Sequence, residues 1–182
     1  LTGVELLSKV LQQQLREDAP GREKQLGTIR DLIRDAIEKT RHLSQGLYPV
    51  HVVEYGLEAA IEELVVEVQK VFDIHLNLFW QGDGDTFGEI TATHLYYIIR
   101  EAVFNAARHG KPQNIEVHVR LDMGNFNVTI VDDGLGLGSR ANGKGMGFHT
   151  MKYRAKAIGA ELTIGSGKEN GTVVTVVGEG QG

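Results

Sequence analysis

The spacing of apolar residues changes at Pro49, and that change limits what the chain can fold into. Before it, Leu26, Ile29, Ile33, Ala36, Thr40, Leu43 and Leu47 recur at alternating intervals of three and four, a heptad stripe. Leu32 and Ile37 widen the stripe toward the broad apolar face of a bundle helix. An earlier helix over residues 1–17 carries Val4, Leu7 and Leu11 at the same kind of spacing. Asp18-Ala19-Pro20-Gly21 separates the two, because proline lacks the amide and glycine permits a turn. Two helices cannot bury such faces well alone. The pattern therefore predicts a hairpin that dimerises into a four-helix bundle, the alternative being that it packs on the rest of its own chain.

Tyr48 precedes proline and so disfavours helix. The boundary is placed there, giving a helical hairpin over 1–49 and a second domain over 50–182. Charge changes at the same place: residues 1–50 carry eight bases and seven acids, the remainder 11 bases and 17 acids. Beyond the boundary, helical and alternating patterns mix, an α+β organisation. A helix is expected over 56–71, with Leu57, Ile61, Leu64, Val65 and Val68 inward. Alternation of Ile74, Leu76, Leu78 and Trp80 predicts a strand. A glycine- and aspartate-rich turn over 81–88 leads to a long helix over 91–109. Ile115, Val117, Val119 and Leu121 mark a half-buried strand, which Met123-Gly124-Asn125 turns into another over 126–131. A helix over 148–158 ends at Gly159, and residues 162–164 pair with 172–177.

Composition removes several functions. The sequence has 182 residues and no cysteine, so disulfides, thiolate metal sites and thiol catalysis are excluded. No apolar run reaches the roughly 18 residues of a membrane span. A net charge of −5 argues against nucleic acid as a partner. The chain opens on Leu1 rather than methionine, which suggests a fragment, with any membrane attachment outside it. Most of its 23 glycines lie in the second half.

Three clusters there could carry chemistry. Glu101, Asn105 and Arg108 share one face of the long helix at i, i+4 and i+7. The amide oxygen is a hard magnesium ligand, the carboxylate can take a proton, and the guanidinium can neutralise phosphate. The plain alternative is a solvated face. Val131-Asp132-Asp133-Gly134-Leu135-Gly136 puts a carboxylate at a strand end, where it could accept a hydrogen bond from an exocyclic amine such as that of adenine, or simply form a turn. Gly143-Lys144-Gly145-Met146-Gly147 opens a helix, where backbone amides and the helix dipole favour an anion. It fits neither the P-loop nor the dinucleotide-binding fingerprint. Gly171-Thr172 follows a further glycine turn.

Together these pieces resemble the GHKL ATPases. Glu101-x3-Asn105-x2-Arg108-His109 is similar to their N box, Asp132-x-Gly134-x-Gly136 to G1, Gly143-x-Gly145-x-Gly147 to G2, and Gly171-Thr172 to G3, in family order over about residues 57–177. Within the family the chain resembles sensor histidine kinases of the nitrate-sensor/DesK type. Glu101 opens the N box, the segment 137–142 is short, and Gly147 onward follows that subgroup's run. The resemblance implies an α/β sandwich binding ATP with Mg2+. It implies that Asn105 coordinates the magnesium, Asp132 reads the adenine amine, and Gly134 and Gly136 make room for the base. Gly143, Lys144, Gly145 and Gly147 would form the lid, Thr172 would lie near the adenine end, and Arg108 and His109 near phosphate. Glu101 would be the catalytic residue, a carboxylate that helps activate the acceptor or water.

The same resemblance makes the hairpin a partial dimerisation and histidine-phosphotransfer domain. It implies a homodimer, a response-regulator receiver domain as partner, and a cytoplasmic location. The family's acceptor histidine is followed by an acid, and none of the chain's seven histidines is. The expectation is a kinase fragment without its phosphoacceptor. The alternatives are a dimeric interaction module with a vestigial nucleotide site, or a GHKL serine kinase that inhibits a sigma factor.

Overall fold

The structure is a computed structural model that describes residues 50–82, 88–122, 124–136, 146–167 and 171–179. The expected hairpin over 1–49 and its four-helix bundle lie outside the described residues, as do Gly143, Lys144 and Gly145.

The elements run α1 (Val50–Phe72), β1 (His75–Gln81), α2 (Glu89–Asn105), a π-helical turn (Ala106–Gly110), β2 (Asn114–Asp122), β3 (Asn125–Asp132), α3 (Met146–Ala157), β4 (Glu161–Ser166) and β5 (Thr172–Glu179). The five strands form one mixed sheet in the order β1-β2-β3-β5-β4. Strands β1 and β2 are parallel, so the chain must cross back between them, and α2 lies in that crossover. The remaining pairs are antiparallel. This is the α/β sandwich anticipated for residues 50–182.

Period-two alternation decides which face of the sheet is covered. Ile115, Val117, Val119 and Leu121 of β2 are buried, as are Phe126, Val128 and Ile130 of β3 and Val174 and Val176 of β5. One core joins them to Ile61, Leu64 and Val68 of α1, Leu95, Ile98, Ile99 and Val103 of α2, and Met151 and Ala155 of α3. The opposite face keeps Asn77, Phe79, Arg120 and Asn127 exposed.

Two helix boundaries depart from the expected ones. Helix α1 begins at Val50, with a break at Gly56, where φ is +84°. A glycine accepts that conformation at little cost, and a regular helix with Leu57, Ile61, Leu64 and Val68 buried on one face follows it. The long helix expected to reach residue 109 is α-helical only to Asn105 and then widens into the π-helical turn. Lys111 ends that turn at φ +49°, ahead of the buried Pro112. By contrast, α3 ends where Gly159 predicts. Gly159 (φ +69°) donates its N–H to the Lys156 carbonyl at 3.1 Å, and Ala160 donates to the Ala155 carbonyl at 2.9 Å. Those two bonds make a Schellman cap.

Candidate functional site

One end of the site is built on α2. Glu101 and Asn105 are one turn apart, and the Asn105 Nδ2 donates to Glu101 Oε1 at 3.0 Å. That bond uses one of the amide's two N–H donors and leaves its Oδ1 carbonyl for a hard cation, so Asn105 fits the magnesium role. Among the described residues, no cluster of three or more His, Asp or Glu could hold a metal without other ligands. Gly147, in the first turn of α3, lies directly on this pair. A Cβ there would run into Glu101 Oε1 and come within 3.1 Å of Asn105 Nδ2. The last glycine of the expected anion cradle therefore meets the two helix residues expected beside the phosphates.

Helix α3 continues along α2 in the opposite direction. Two turns after Gly147, the Arg154 guanidinium lies 4.2 Å from the centroid of the Tyr97 ring, one turn before Glu101. Burial pulls the Arg154 pKa down, while Tyr97, Glu101 and Tyr153 pull it up. Sequence reasoning left Arg154 out of the site. Its signal was its helical spacing from Gly147, seven positions on and so on the same side of α3.

Arg108 and His109 fall within the π-helical turn, and both are exposed. The Arg108 guanidinium lies over the Phe104 ring at 5.1 Å, and Arg100 lies over the same ring at 4.9 Å. Phe104 in turn meets Phe72 edge-on at 5.8 Å. Arg108 thus keeps company with Phe104, whereas Glu101 and Asn105 pair with each other. The three positions are spaced i, i+4 and i+7, and the α-helix widens into the π-helical turn one residue after Asn105.

The other end of the site is made mostly of main chain. Asp132, the last residue of β3, is 5 % exposed and faces the helix-covered side, two positions after inward Ile130. Its Oδ1 accepts the Gly134 N–H at 2.9 Å. Gly134 has no room for a side chain, since a Cβ would strike the Gly110 carbonyl and stand 2.9 Å from Asp132 Oδ1. The Gly110 carbonyl also accepts the Leu135 N–H at 2.8 Å. Gly136 adopts φ +69°, which favours glycine. Gly171 lies flat against Asp132, its missing Cβ replaced by the Asp132 carbonyl. Pairing of Val131 with Val173 brings Thr172 level with Asp132. Asp132, Gly134, Gly136, Gly171 and Thr172 are therefore gathered at one end of the sheet, beside the end of the π-helical turn.

Asp133 was not singled out from the sequence. It is exposed, yet its carboxylate accepts the N–H groups of Gln113 (2.8 Å) and Asn114 (2.9 Å) and the Asn114 Nδ2 (2.7 Å). Slight desolvation pushes its pKa up, and the bonds from Asn114 and Gln113 outweigh that, so the net shift is downward. The partners lie about 20 positions earlier in the chain, beyond any local pattern.

Residues 90–178 match the model of the histidine kinase-, DNA gyrase B- and HSP90-like ATPases. The oxygen sensor histidine kinase NreB of Staphylococcus carnosus is 29% identical over 150 residues, covering 81% of this chain and 43% of that protein. The nitrate/nitrite sensor protein NarQ of Escherichia coli is 27% identical over 169 residues, covering 92% of this chain and 30% of that protein. The chain thus spans less than half the length of these relatives. The solved histidine kinase domain of the Erythrobacter litoralis EL346 blue-light activated kinase superposes with a TM-score of 0.61 at 20% identity, covering 97% of this chain and 95% of that one, a likeness of fold.

Proposed function

The chain belongs, through residues 90–178, to the histidine kinase-, DNA gyrase B- and HSP90-like ATPases, in the nitrate-sensor-like group of sensor kinases, and on that premise we propose that it binds ATP with Mg2+ and passes the γ-phosphoryl to a histidine for relay to a response-regulator aspartate. The observation that carries this reading is the contact of Gly147 with the Glu101–Asn105 pair, which joins the lid helix to the metal-binding amide. A buried carboxylate at Asp132, beside main chain with no room for side chains, supports the base end.

Asn105 would hold magnesium through its carbonyl oxygen, and the ion would supply neutralisation of phosphate charge there. Asp132 accepts a hydrogen bond from the adenine amine, and Gly134 and Gly136 keep the base pocket open, with Thr172 beside it. Gly143, Lys144, Gly145 and Gly147 cover the γ-phosphate side. Arg108 and His109, in the π-helical turn that follows, would lie near the phosphates. Glu101, held by Asn105, accepts the proton of the attacking imidazole or orients it. The acceptor comes from outside this sequence, because no histidine here precedes an acid. Residues 1–49 pair two copies of the chain and help present that acceptor and the receiver domain, in the cytoplasm where ATP is available. No described helix is long and apolar enough to cross a membrane.

The test is phosphoryl transfer from γ-labelled ATP to a supplied dimerisation domain that bears the histidine. Acid-labile, alkali-stable label is expected on that domain, and its loss in Glu101→Gln with ATP binding retained. ATP binding with no transfer under any condition would contradict the reading and favour a nucleotide-binding interaction module.

A further inference from the structure

The exposed aspartate of the Asp132-Asp133 pair is more firmly bonded than the buried one. Asp133 and Asn114 hold each other three ways: the Asp133 N–H donates to the Asn114 carbonyl at 3.2 Å, and the Asn114 main-chain and side-chain amides donate to the Asp133 carboxylate. The Gln113 amide adds a fourth bond. Hydrogen bonds to an ionised acceptor are among the stronger ones, and here they share one short segment. That segment leaves the π-helical turn at Gly110, passes Lys111 and Pro112, and enters β2 at Asn114. Gly110 grips the same turn from its other end, through the Leu135 N–H and the close approach of Gly134. The turn over 132–135 is therefore fastened to residues 110–114 at Asp133 and again at Leu135, and the Gly134 N–H between these two points donates to the Asp132 carboxylate.

We propose that Asp133 is a positioning residue for base recognition, whose carboxylate fixes the 132–135 turn on residues 110–114 and so holds the Asp132 carboxylate in the orientation that reads the exocyclic amine. The inference rests on the reading of Asp132 as the base contact. Residues 110–114 also continue the helix that carries Asn105. Asp133 therefore sets the distance between the base-reading end and the metal-binding end, the kind of support that an oriented polar contact needs.

Inosine triphosphate separates positioning from mere stability, because it carries a carbonyl where ATP carries the amine. A carboxylate held in place faces that carbonyl oxygen with no proton between them, and discriminates against it. Binding of ATP and of inosine triphosphate, each with Mg2+, is measured by calorimetry on the whole chain, Asp133→Ala, Asp133→Asn and Asn105→Ala. The parent is expected to prefer ATP by at least about tenfold. Asp133→Ala should weaken ATP binding by about tenfold and inosine triphosphate far less, so the ratio falls toward one. Asp133→Asn keeps one oxygen for the main-chain amides and should give an intermediate ratio. It decides the matter if Asp133→Ala does not fold. A parental ratio in folded Asp133→Asn and Asp133→Ala, whatever their melting temperatures, would overturn the proposal. Equal binding of both nucleotides by the parent, with magnesium-dependent binding still lost in Asn105→Ala, would remove Asp132 as the base reader and this proposal with it, while leaving the nucleotide site standing.

Discussion

The two ends of the site make room for ligand by different means. At the base end, around Asp132, backbone meets backbone: Gly171 on the Asp132 carbonyl and Gly134 on the Gly110 carbonyl. At the phosphate end, around Asn105, a glycine meets a side chain: Gly147 lies on the tip of Glu101. Fixed main chain cannot move aside, whereas a carboxylate can rotate. The end around Asp132 is therefore the more rigid and the end around Asn105 the more adjustable, which under the proposed function would suit base recognition and phosphoryl transfer in turn.

The same substitution should break the two ends differently. Gly171→Ala drives a Cβ into the Asp132 main chain. It is expected to destabilise the domain by about 3 kcal/mol and to abolish ATP binding, as measured by denaturant unfolding and calorimetry. Gly147→Ala should leave unfolding nearly unchanged or slightly raised, because alanine favours helix. It displaces Glu101 from Asn105, so transfer to a supplied histidine domain should fall on the order of a hundredfold. A Gly147→Ala protein that unfolds as easily as Gly171→Ala would end the distinction.

Smaller effects sharpen it. Arg154→Ala removes the guanidinium from Tyr97 and should cost about 1 kcal/mol in thermal unfolding. Because Arg154 anchors α3 beside Glu101, ATP binding should weaken severalfold with its preference over inosine triphosphate unchanged. The smallest effect concerns His94 on α2, whose buried Nδ1 has no hydrogen-bond partner. Burial, and then the Arg154 charge, hold its pKa below the ordinary 6.5. The folded state thus favours the neutral ring. Stability from this group is full above pH 6.5 and declines as pH falls toward the lower folded value. A His94→Gln chain should show a flatter dependence of Tm on pH between 7 and 5, and an unchanged slope would exclude that role.

The legible parts of the fold are those governed by local periodicity. Alternation gave β2 and β3 their inward faces, and Gly159 marked the end of α3. The π-helical turn was not legible, because Ala106-Ala107-Arg108-His109-Gly110 reads as ordinary helix. Only the need to meet β2 through Lys111 and Pro112 distinguishes it. Arg108 lies in that turn, over the ring of Phe104 four positions before it. Strand parity from Ile130 marks Asp132 as the inward aspartate, so that half of the pair could be read. The hold of Asp133 on Asn114 could not be, because it depends on how β2 lies beside the end of β3.

The most direct measurement is a calorimetric comparison of Asn105→Ala and Asp132→Asn with the parent chain, each with ATP and inosine triphosphate, with and without Mg2+. Two ends with separate duties predict that Asn105→Ala loses the magnesium dependence and keeps the preference for ATP over inosine triphosphate in what binding remains. Asp132→Asn should lose that preference and keep the magnesium dependence. Loss of both properties together in either variant, or of neither in both, would contradict the account.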